Sequence, residues 1–109
     1  MTSSAYEQLA EETLFAIEEA VESCGVEIDY ENNGGILTLT FLNGSKIIIN
    51  RQPPVQQLWV AAKAGGFHFN YSADAQHWIT DDGQAQELFS FLSQLCSAQA
   101  GEPVTLVCE

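Results

Sequence analysis

Six carboxylates near the end of the first predicted helix and in the strand after it have the chemistry of a cation site. Carboxylate oxygens are the ligands that cations such as Fe²⁺, Mn²⁺ and Ca²⁺ accept. We expect no His or Cys anchor and no preformed loop there, so the metal would exchange water for mobile surface side chains. We therefore expect the site to bind metal ions with low affinity and to select poorly among them. The candidate ligands are Glu18, Glu19, Glu22, Glu27, Asp29 and Glu31.

The acidic segment that contains them has three interpretations. Residues 1–31 hold nine acids and no base, whereas residues 32–109 hold six acids and three bases. We call the acids of residues 1–31 the acidic ridge. A charge run is most often a solvated face, but it also suits docking to a basic partner or binding of cations. For docking, the expected contacts are Glu11, Glu18 and Glu22, which share one flank of the predicted helix.

Trp59 is the second candidate for a functional residue. It belongs to a predicted strand over 55–63, in which Leu58 and Val60 alternate with Gln57 and Trp59. The aliphatic side should face the core, which leaves Trp59 on the outward, polar side. An outward Trp often packs on its neighbours in the sheet. Among amides it is also a typical interface anchor, and both interpretations stay open.

Signals for catalysis are weak. The sequence has no nucleophile elbow, no phosphate-binding glycine loop and no metal-binding pair of histidines. Carboxylates on an exposed ridge have little reason to acquire the raised pKa that acid–base catalysis needs. Cys24, Cys96 and Cys108 form no CxxC motif, and nothing near His68 in sequence completes a site. We therefore expect a protein that is not an enzyme.

Length and composition narrow the class of protein. A chain of 109 residues, 46% hydrophobic, is enough for one compact domain. Its net charge of −12 argues against binding to nucleic acid or to an anionic membrane. No apolar run approaches the ~18 residues of a membrane span. The N-terminus lacks the features of a secretory signal, and the expected compartment is the cytoplasm.

The elements that position these residues follow from hydrophobic periodicity. A three- and four-residue repeat predicts a helix over 4–24, capped by Ser3 or Ser4 and ended by Gly25. A second helix is predicted over 84–98, capped by Asp81 or Asp82 and ended by Gly101. Alternation and turn signals predict strands over 26–31, 36–42, 46–50, 55–63, 67–71 and 77–80.

The order of these elements predicts the fold. Consecutive hairpins imply an antiparallel β-meander, and helices at both ends of it can cover one face. We therefore predict an α+β, two-layer α/β sandwich that forms a single domain over 1–109. Residues 102–109 are predicted to be an extended C-terminal tail packed along it, with Val104, Leu106 and Cys108 alternating.

Several blocks of the sequence match a known family. The matching blocks are NGGILTLTF (33–41), NGSKIIINRQ (43–52), Pro54, QLWVA (57–61), GGFHF (65–69) and Trp78, followed by the last helix. Together with the acidic first helix, they make the chain resemble the frataxins in their bacterial form. The resemblance extends over nearly the whole chain.

The resemblance implies a fold and a function. Frataxins have the αβ-meander-α sandwich, bind iron (Fe²⁺ or Fe³⁺) weakly through surface carboxylates, and adjust iron–sulfur cluster assembly by binding a cysteine desulfurase–scaffold complex. It also implies that Asn50, Gln57 and Trp59 belong to the partner-binding face of the sheet. We expect a monomer without metal, with other divalent cations binding in vitro. The competing hypotheses are an acidic interaction module with no metal role, such as an inhibitor of a basic partner, and, last, an iron oxidase.

Overall fold

The fold consists of six antiparallel strands with two helices on one face. The computed structural model describes residues 1–108, and the strands follow one another in the sheet in chain order. The predicted α+β sandwich and meander are therefore confirmed. The elements are α1 (Ser3–Ser23), β1 (Ile28–Asn33), β2 (Ile36–Phe41), β3 (Lys46–Gln52), β4 (Gln57–Ala62), β5 (Gly65–Ser72), β6 (His77–Thr80) and α2 (Leu88–Ala100).

Helix α1 buries one apolar stripe against the sheet. Its buried residues recur at three- and four-residue steps from Tyr6 to Val21, as the sequence predicts. Thr2, and not Ser3 or Ser4, caps the helix: its Oγ1 accepts a hydrogen bond from the Ala5 N–H at 3.0 Å. The helix ends before Gly25, whose φ of 79° is the left-handed conformation that terminates helices.

The two faces of the sheet differ because side chains alternate along each strand. The face under the helices is apolar and carries Leu37, Leu39, Phe41, Ile47, Ile49, Leu58, Val60, Phe69 and Trp78, all buried. The opposite face presents polar side chains from β3, β4 and β5, where Asn50 pairs with Trp59 and Trp59 pairs with His68. Within residues 1–108, no helix is long and apolar enough to cross a membrane.

The prediction for β4 was wrong at its ends. Pro53–Val55 forms a turn of 3₁₀ helix, and β4 begins only at Gln57. Between them Gln56 adopts a left-handed conformation with φ of 52°. Proline fixes its own φ and lacks an N–H, so the Pro53-Pro54 pair favours a turn over strand pairing.

The start of α2 also differs from the prediction. Asp82 caps the turn that follows β6, where its Oδ1 accepts from the Gln84 N–H at 3.0 Å. After this turn the chain still pairs with the end of β6, because the Thr80 backbone N–H donates to the Gln86 carbonyl at 3.0 Å. The helix begins at Leu88, and the Glu87 carboxylate caps it by accepting from two backbone N–H groups. Its end at Gly101 is as predicted.

The C-terminal tail packs along α2. Val104 and Leu106 are buried, and the hydroxyls of Ser97 and Ser93 each accept from one tail N–H at 2.8 Å. Because these serines lie four residues apart, they stand on one face of α2. Val104 and Leu106 are thus the tail residues that pack on the domain, whereas Cys108 is exposed, and Glu109 lies outside the described residues.

Candidate functional site

Two carboxylates of α1 face the edge strand β1. The Tyr30 hydroxyl donates a hydrogen bond to Glu22, and the Asn32 amide donates to Glu18 at 2.9 Å. The bond to the Glu22 carboxylate raises the pKa of Tyr30. Glu18 and Glu22 are thus oriented by strand side chains at the junction between α1 and β1.

Asp29 and Glu31 point to the other side of β1. Successive side chains of a strand lie on opposite faces, and Tyr30 and Asn32 occupy the face toward α1. Asp29 pairs in register with Thr40, and both Asp29 and Glu31 are exposed. The ridge therefore places carboxylates on both sides of one edge strand, and they do not converge on a single point.

Glu19 and Glu27 lie apart from these two pairs. Glu19 is on the flank of α1 toward the C-terminal tail, where it lines a cavity of about 220 Å³ with Thr105 and Val107. Glu27 is exposed in the segment that leads into β1. Among residues 1–108, no three His, Cys, Asp or Glu side chains lie close enough to hold a metal ion. The six candidate ligands thus lie at separate places on α1, on β1 and in the segment between them.

Glu11 and Glu18 line a concavity of about 390 Å³ beside the β1–β2 turn, with Phe15 between them in the chain. Phe15 is 60% exposed, so the acidic flank of α1 carries an aromatic side chain in contact with solvent. The acidic ridge therefore presents an apolar element as well as charge.

One ridge carboxylate has a cationic partner. Arg51 Nη1 lies 2.5 Å from Glu7 Oε2, in a partly buried ion pair that connects β3 to α1. The Arg51 side chain passes over Gly35, where a Cβ atom would collide with it. Gly35 also has a φ of 86°, which glycine adopts without strain. The sequence pattern did not reveal this ion pair, because residues 7 and 51 meet only in the tertiary fold.

Trp59 lies on the outward face of the sheet, as predicted. Its ring is half-buried and stacks on His68, with 4.4 Å between the ring centroids and an interplanar angle of 19°. Its Nε1–H donates to Gln57 Oε1 at 2.8 Å. Asn50 is its register neighbour on β3, so the three residues that the resemblance assigned to the partner surface lie together.

His68 and Asp81 complete this surface. Gln57 Nε2 donates to Asp81 Oδ2 at 3.3 Å, and also to Asn70 Oδ1 at 3.0 Å. Asp81 Oδ2 in turn lies 3.5 Å from His68 Nδ1. Asp81 was expected to be a possible helix cap, and its place here depends on the pairing of β5 with β6. We call Asn50, Gln57, Trp59, His68 and Asp81 the Trp59 face.

The remaining candidate side chains do not join either surface. Cys96 is buried in the core, and burial raises its pKa to about 12. Trp78 is also buried, as expected from the sequence, and its Nε1–H donates to Thr13 Oγ1 at 3.0 Å. These contacts describe structural roles, and they leave the acidic ridge and the Trp59 face as the candidate sites.

Comparisons with known proteins agree with this description. A family model described as a frataxin-like domain matches residues 1–102. The chain is 50% identical to the iron-sulfur cluster assembly protein CyaY of Colwellia psychrerythraea over 106 residues, 97% of each chain. It is 47% identical to the protein of the same name from Tolumonas auensis, covering 97% of this chain and 99% of that one.

Solved structures show the same fold. Frataxin from Psychromonas ingrahamii superposes with a TM-score of 0.88 at 39% identity, covering 98% of this chain and 99% of that one. Yeast frataxin, 23% identical, superposes with a TM-score of 0.60 over 88% of this chain and 78% of that one, and shows likeness of fold alone. From its sequence and its fold together, the chain belongs to the frataxin family, within which its relatives are iron–sulfur cluster assembly proteins.

Proposed function

We propose that this protein is an iron-binding regulator of iron–sulfur cluster assembly. It binds Fe²⁺ or Fe³⁺ weakly through the acidic ridge and docks on a cytoplasmic cysteine desulfurase–scaffold complex, without being an enzyme itself. The observation that carries the proposal is the pairing of two surfaces on one small domain of this family. One is a ridge of carboxylates on α1 and β1, and the other is the outward Trp59 face.

The chemistry of the ridge supports weak iron binding. Oxygen ligands suit both Fe²⁺ and Fe³⁺, and the ridge supplies them in pairs at the surface. Glu18 and Glu22 form one pair beside β1, and Asp29 and Glu31 form the other on its far side. Two carboxylates per pair leave most of the coordination shell to water, so the bound metal exchanges readily and other divalent cations compete.

The charge distribution supports docking. Nine acids lie within 31 residues, and among the described residues only Glu7 of these nine is paired, with Arg51. The ridge therefore creates a negative potential along α1 and β1. Such a potential steers a basic surface toward the ridge and raises the association rate. Trp59 supplies a large, partly desolvated aromatic anchor on a different face, which suits simultaneous contact with two partner proteins.

Titration with Fe²⁺ under argon, followed by NMR of the ¹⁵N-labelled chain, tests the metal site. Paramagnetic broadening is expected at amides beside the liganding carboxylates. The double variants Glu18→Gln/Glu22→Gln and Asp29→Asn/Glu31→Gln should each remove broadening on one side of β1. The matched control, Asp74→Asn/Glu102→Gln, neutralises two exposed acids outside the ridge and should leave the pattern unchanged.

A pull-down with the cysteine desulfurase, with and without scaffold protein, tests the docking. Capture should weaken as salt rises, because screening removes the electrostatic attraction. Capture that is independent of salt, or retained after neutralising Glu11, Glu18 and Glu22 together, would contradict docking through the ridge.

One observation favours a second candidate function. Because no group of three ligands is assembled among residues 1–108, the ridge also suits an acidic interaction module with no metal role. The two functions differ in the Fe²⁺ titration. Local broadening supports the regulator, whereas uniform weak changes, together with capture of the desulfurase in the presence of a chelator, support the interaction module.

A further inference from the structure

Four side chains on the Trp59 face form a closed ring of contacts. Trp59 Nε1–H donates to Gln57 Oε1 at 2.8 Å, and Gln57 Nε2 donates to Asp81 Oδ2 at 3.3 Å. The same Asp81 oxygen lies 3.5 Å from His68 Nδ1. His68 closes the ring by stacking on the Trp59 indole at 4.4 Å. Each member thus contacts two others, and the indole is held along its edge and on one face.

The ring contains one imidazole, that of His68. Imidazole ordinarily gains its proton near pH ~6.5. The other members of the ring are a carboxylate, an amide and an indole, none of which changes charge in that range. On the neighbouring elements, β4 presents Trp59 and Gln57 to His68, and neither carries a charge.

Asp81 is the charged group that faces His68 from the β6 side. Asp82, next in the chain, accepts hydrogen bonds from the Thr80 hydroxyl and the Gln84 N–H. The bond from the Gln84 backbone lowers the pKa of Asp82. His68 contacts one carboxylate and the face of one indole. A carboxylate attracts a positively charged imidazole, and an indole face attracts it through a cation–π interaction.

We propose that His68, Asp81 and Gln57 are positioning residues that hold the Trp59 indole for docking, and that protonation of His68 tightens this hold. At 3.5 Å, the contact between Asp81 and His68 is longer than a usual hydrogen bond. When His68 is charged, the contact becomes an ion pair and the stack becomes a cation–π contact. The side chains of His68 and Asp81 are 46% and 38% exposed, so solvent screens the pair and the effect is graded.

The consequence for docking rests on the proposed function. A side chain that is already fixed in its bound orientation loses less conformational entropy when a partner covers it. Acidification from about pH 8 to about pH 6 should therefore strengthen docking through the Trp59 face. The expected gain is about threefold to tenfold in affinity, which is the usual contribution of one immobilised side chain.

NMR of the free protein tests the ring without any partner. The chain has two tryptophans and therefore two indole N–H signals, which a Trp59→Phe variant assigns. The Trp59 signal should change as the pH is lowered from about 8 to about 6. It should lose this pH dependence in His68→Gln and keep it in the matched control His77→Gln. In Asp81→Asn the change should be smaller, because no ion pair forms at that end of the ring.

The Trp78 indole N–H, bonded to Thr13 in the core, reports in every variant whether the domain is folded. A Trp59 signal that does not change with pH would overturn the proposal, and so would a titration that survives His68→Gln. The affinity for the desulfurase–scaffold complex, measured at both pH values, then tests the coupling to docking. A pH dependence that is the same in the natural chain and in His68→Gln would overturn that coupling.

Failure of the natural chain to bind the complex at either pH would contradict the proposed function. It would not affect the titration of the free protein, which decides whether the ring exists. The two failures are therefore distinguishable.

Discussion

The two tryptophans lie on opposite faces of the sheet and should respond differently to substitution. Trp59 is half-buried on the outward face, whereas Trp78 is buried under α1. We expect Trp59→Ala to weaken the proposed complex with desulfurase and scaffold by about 2 kcal/mol or more, as for an aromatic interface anchor. The free energy of unfolding of the Trp59→Ala variant should differ little from that of the natural chain. Calorimetric titration and denaturant unfolding measure the two effects.

Trp78→Phe is the contrasting variant. It removes the donor to Thr13 Oγ1 in the core and should lower the free energy of unfolding by about 1–3 kcal/mol. Docking of the folded fraction should be unaffected. If Trp59→Ala unfolds the domain instead, then Trp59 has a structural role and is not primarily an anchor.

The thiols differ in reactivity because the thiolate is the reactive form. Cys108 is exposed, Cys24 is half-buried, and Cys96 is buried with its pKa raised by burial to about 12. A thiol reagent at neutral pH should modify Cys108 first and Cys24 more slowly. Cys96 should react only after unfolding. Timed labelling followed by peptide mass spectrometry measures the order, and early labelling of Cys96 would contradict its burial.

Stability at alkaline pH depends on the same burial. An unfolded cysteine titrates near pH ~8.5, whereas the folded pKa of Cys96 is about 12. Below the lower value both states are protonated. Between the two values only the unfolded state loses its proton, so the free energy of unfolding falls as pH rises. The decline should be shallower in Cys96→Val, and equal slopes in denaturant unfolding would contradict this assignment.

At the scale of elements, the C-terminal tail should contribute to stability through Leu106. Its side chain is 4% exposed, and its N–H is bonded to Ser93. We expect Leu106→Ala to lower the free energy of unfolding by about 2–5 kcal/mol, the usual cost of truncating a buried leucine. The neighbouring Val107 is 59% exposed, so Val107→Ala should change stability by less than about 0.5 kcal/mol. Equal effects of the two substitutions in thermal unfolding would show that the tail is not packed as described.

For the whole molecule, the net charge of −12 couples stability to cations. Same-sign charge on the ridge destabilises the folded state by self-repulsion, and any cation that binds only the folded state stabilises it. Divalent cations should therefore raise the melting temperature more than NaCl at equal ionic strength. The excess should shrink as pH falls toward about 4, where carboxylates gain protons and lose their ligand character.

The variant Glu19→Lys/Glu22→Lys should lose the part of this excess that comes from the Glu18–Glu22 pair, although reversal of Glu22 also removes its bond to Tyr30. It should also weaken Fe²⁺ or Co²⁺ binding while the fold is retained. Loss of the bond to Tyr30 should lower the melting temperature, whereas reduced repulsion along α1 should raise it. The isosteric Glu18→Gln/Glu22→Gln variant separates these effects, because it removes ligands without introducing cations. Equal shifts with divalent cations and NaCl in the natural chain would leave the ridge as a screened charge cluster.

Local periodicity in the sequence was sufficient to predict the architecture of this protein. The three- and four-residue repeat from Tyr6 to Val21 and the alternation through Leu58, Trp59 and Val60 determined which faces are buried. These patterns predict the layers because the hydrophobic effect acts on every apolar residue in turn, without reference to distant parts of the chain. The outward position of Trp59 follows from the same alternation.

Only the tertiary structure decided which polar groups meet. Helix α2 begins at Leu88, four residues later than predicted, because Asp82 and Gln86 bond to Thr80 on β6. These bonds compete with helix formation, and the sequence signals for a helix start do not reveal them. Asp81 reaches His68 because β5 and β6 pair in one register. Likewise, Glu22 reaches Tyr30 because α1 packs beside β1, and the same packing leaves Asp29 on the far side of that strand. Hydrogen bonds and ion pairs require atoms within a few ångströms, and contacts between distant residues are fixed only when the strands are in register and the helices are packed on them.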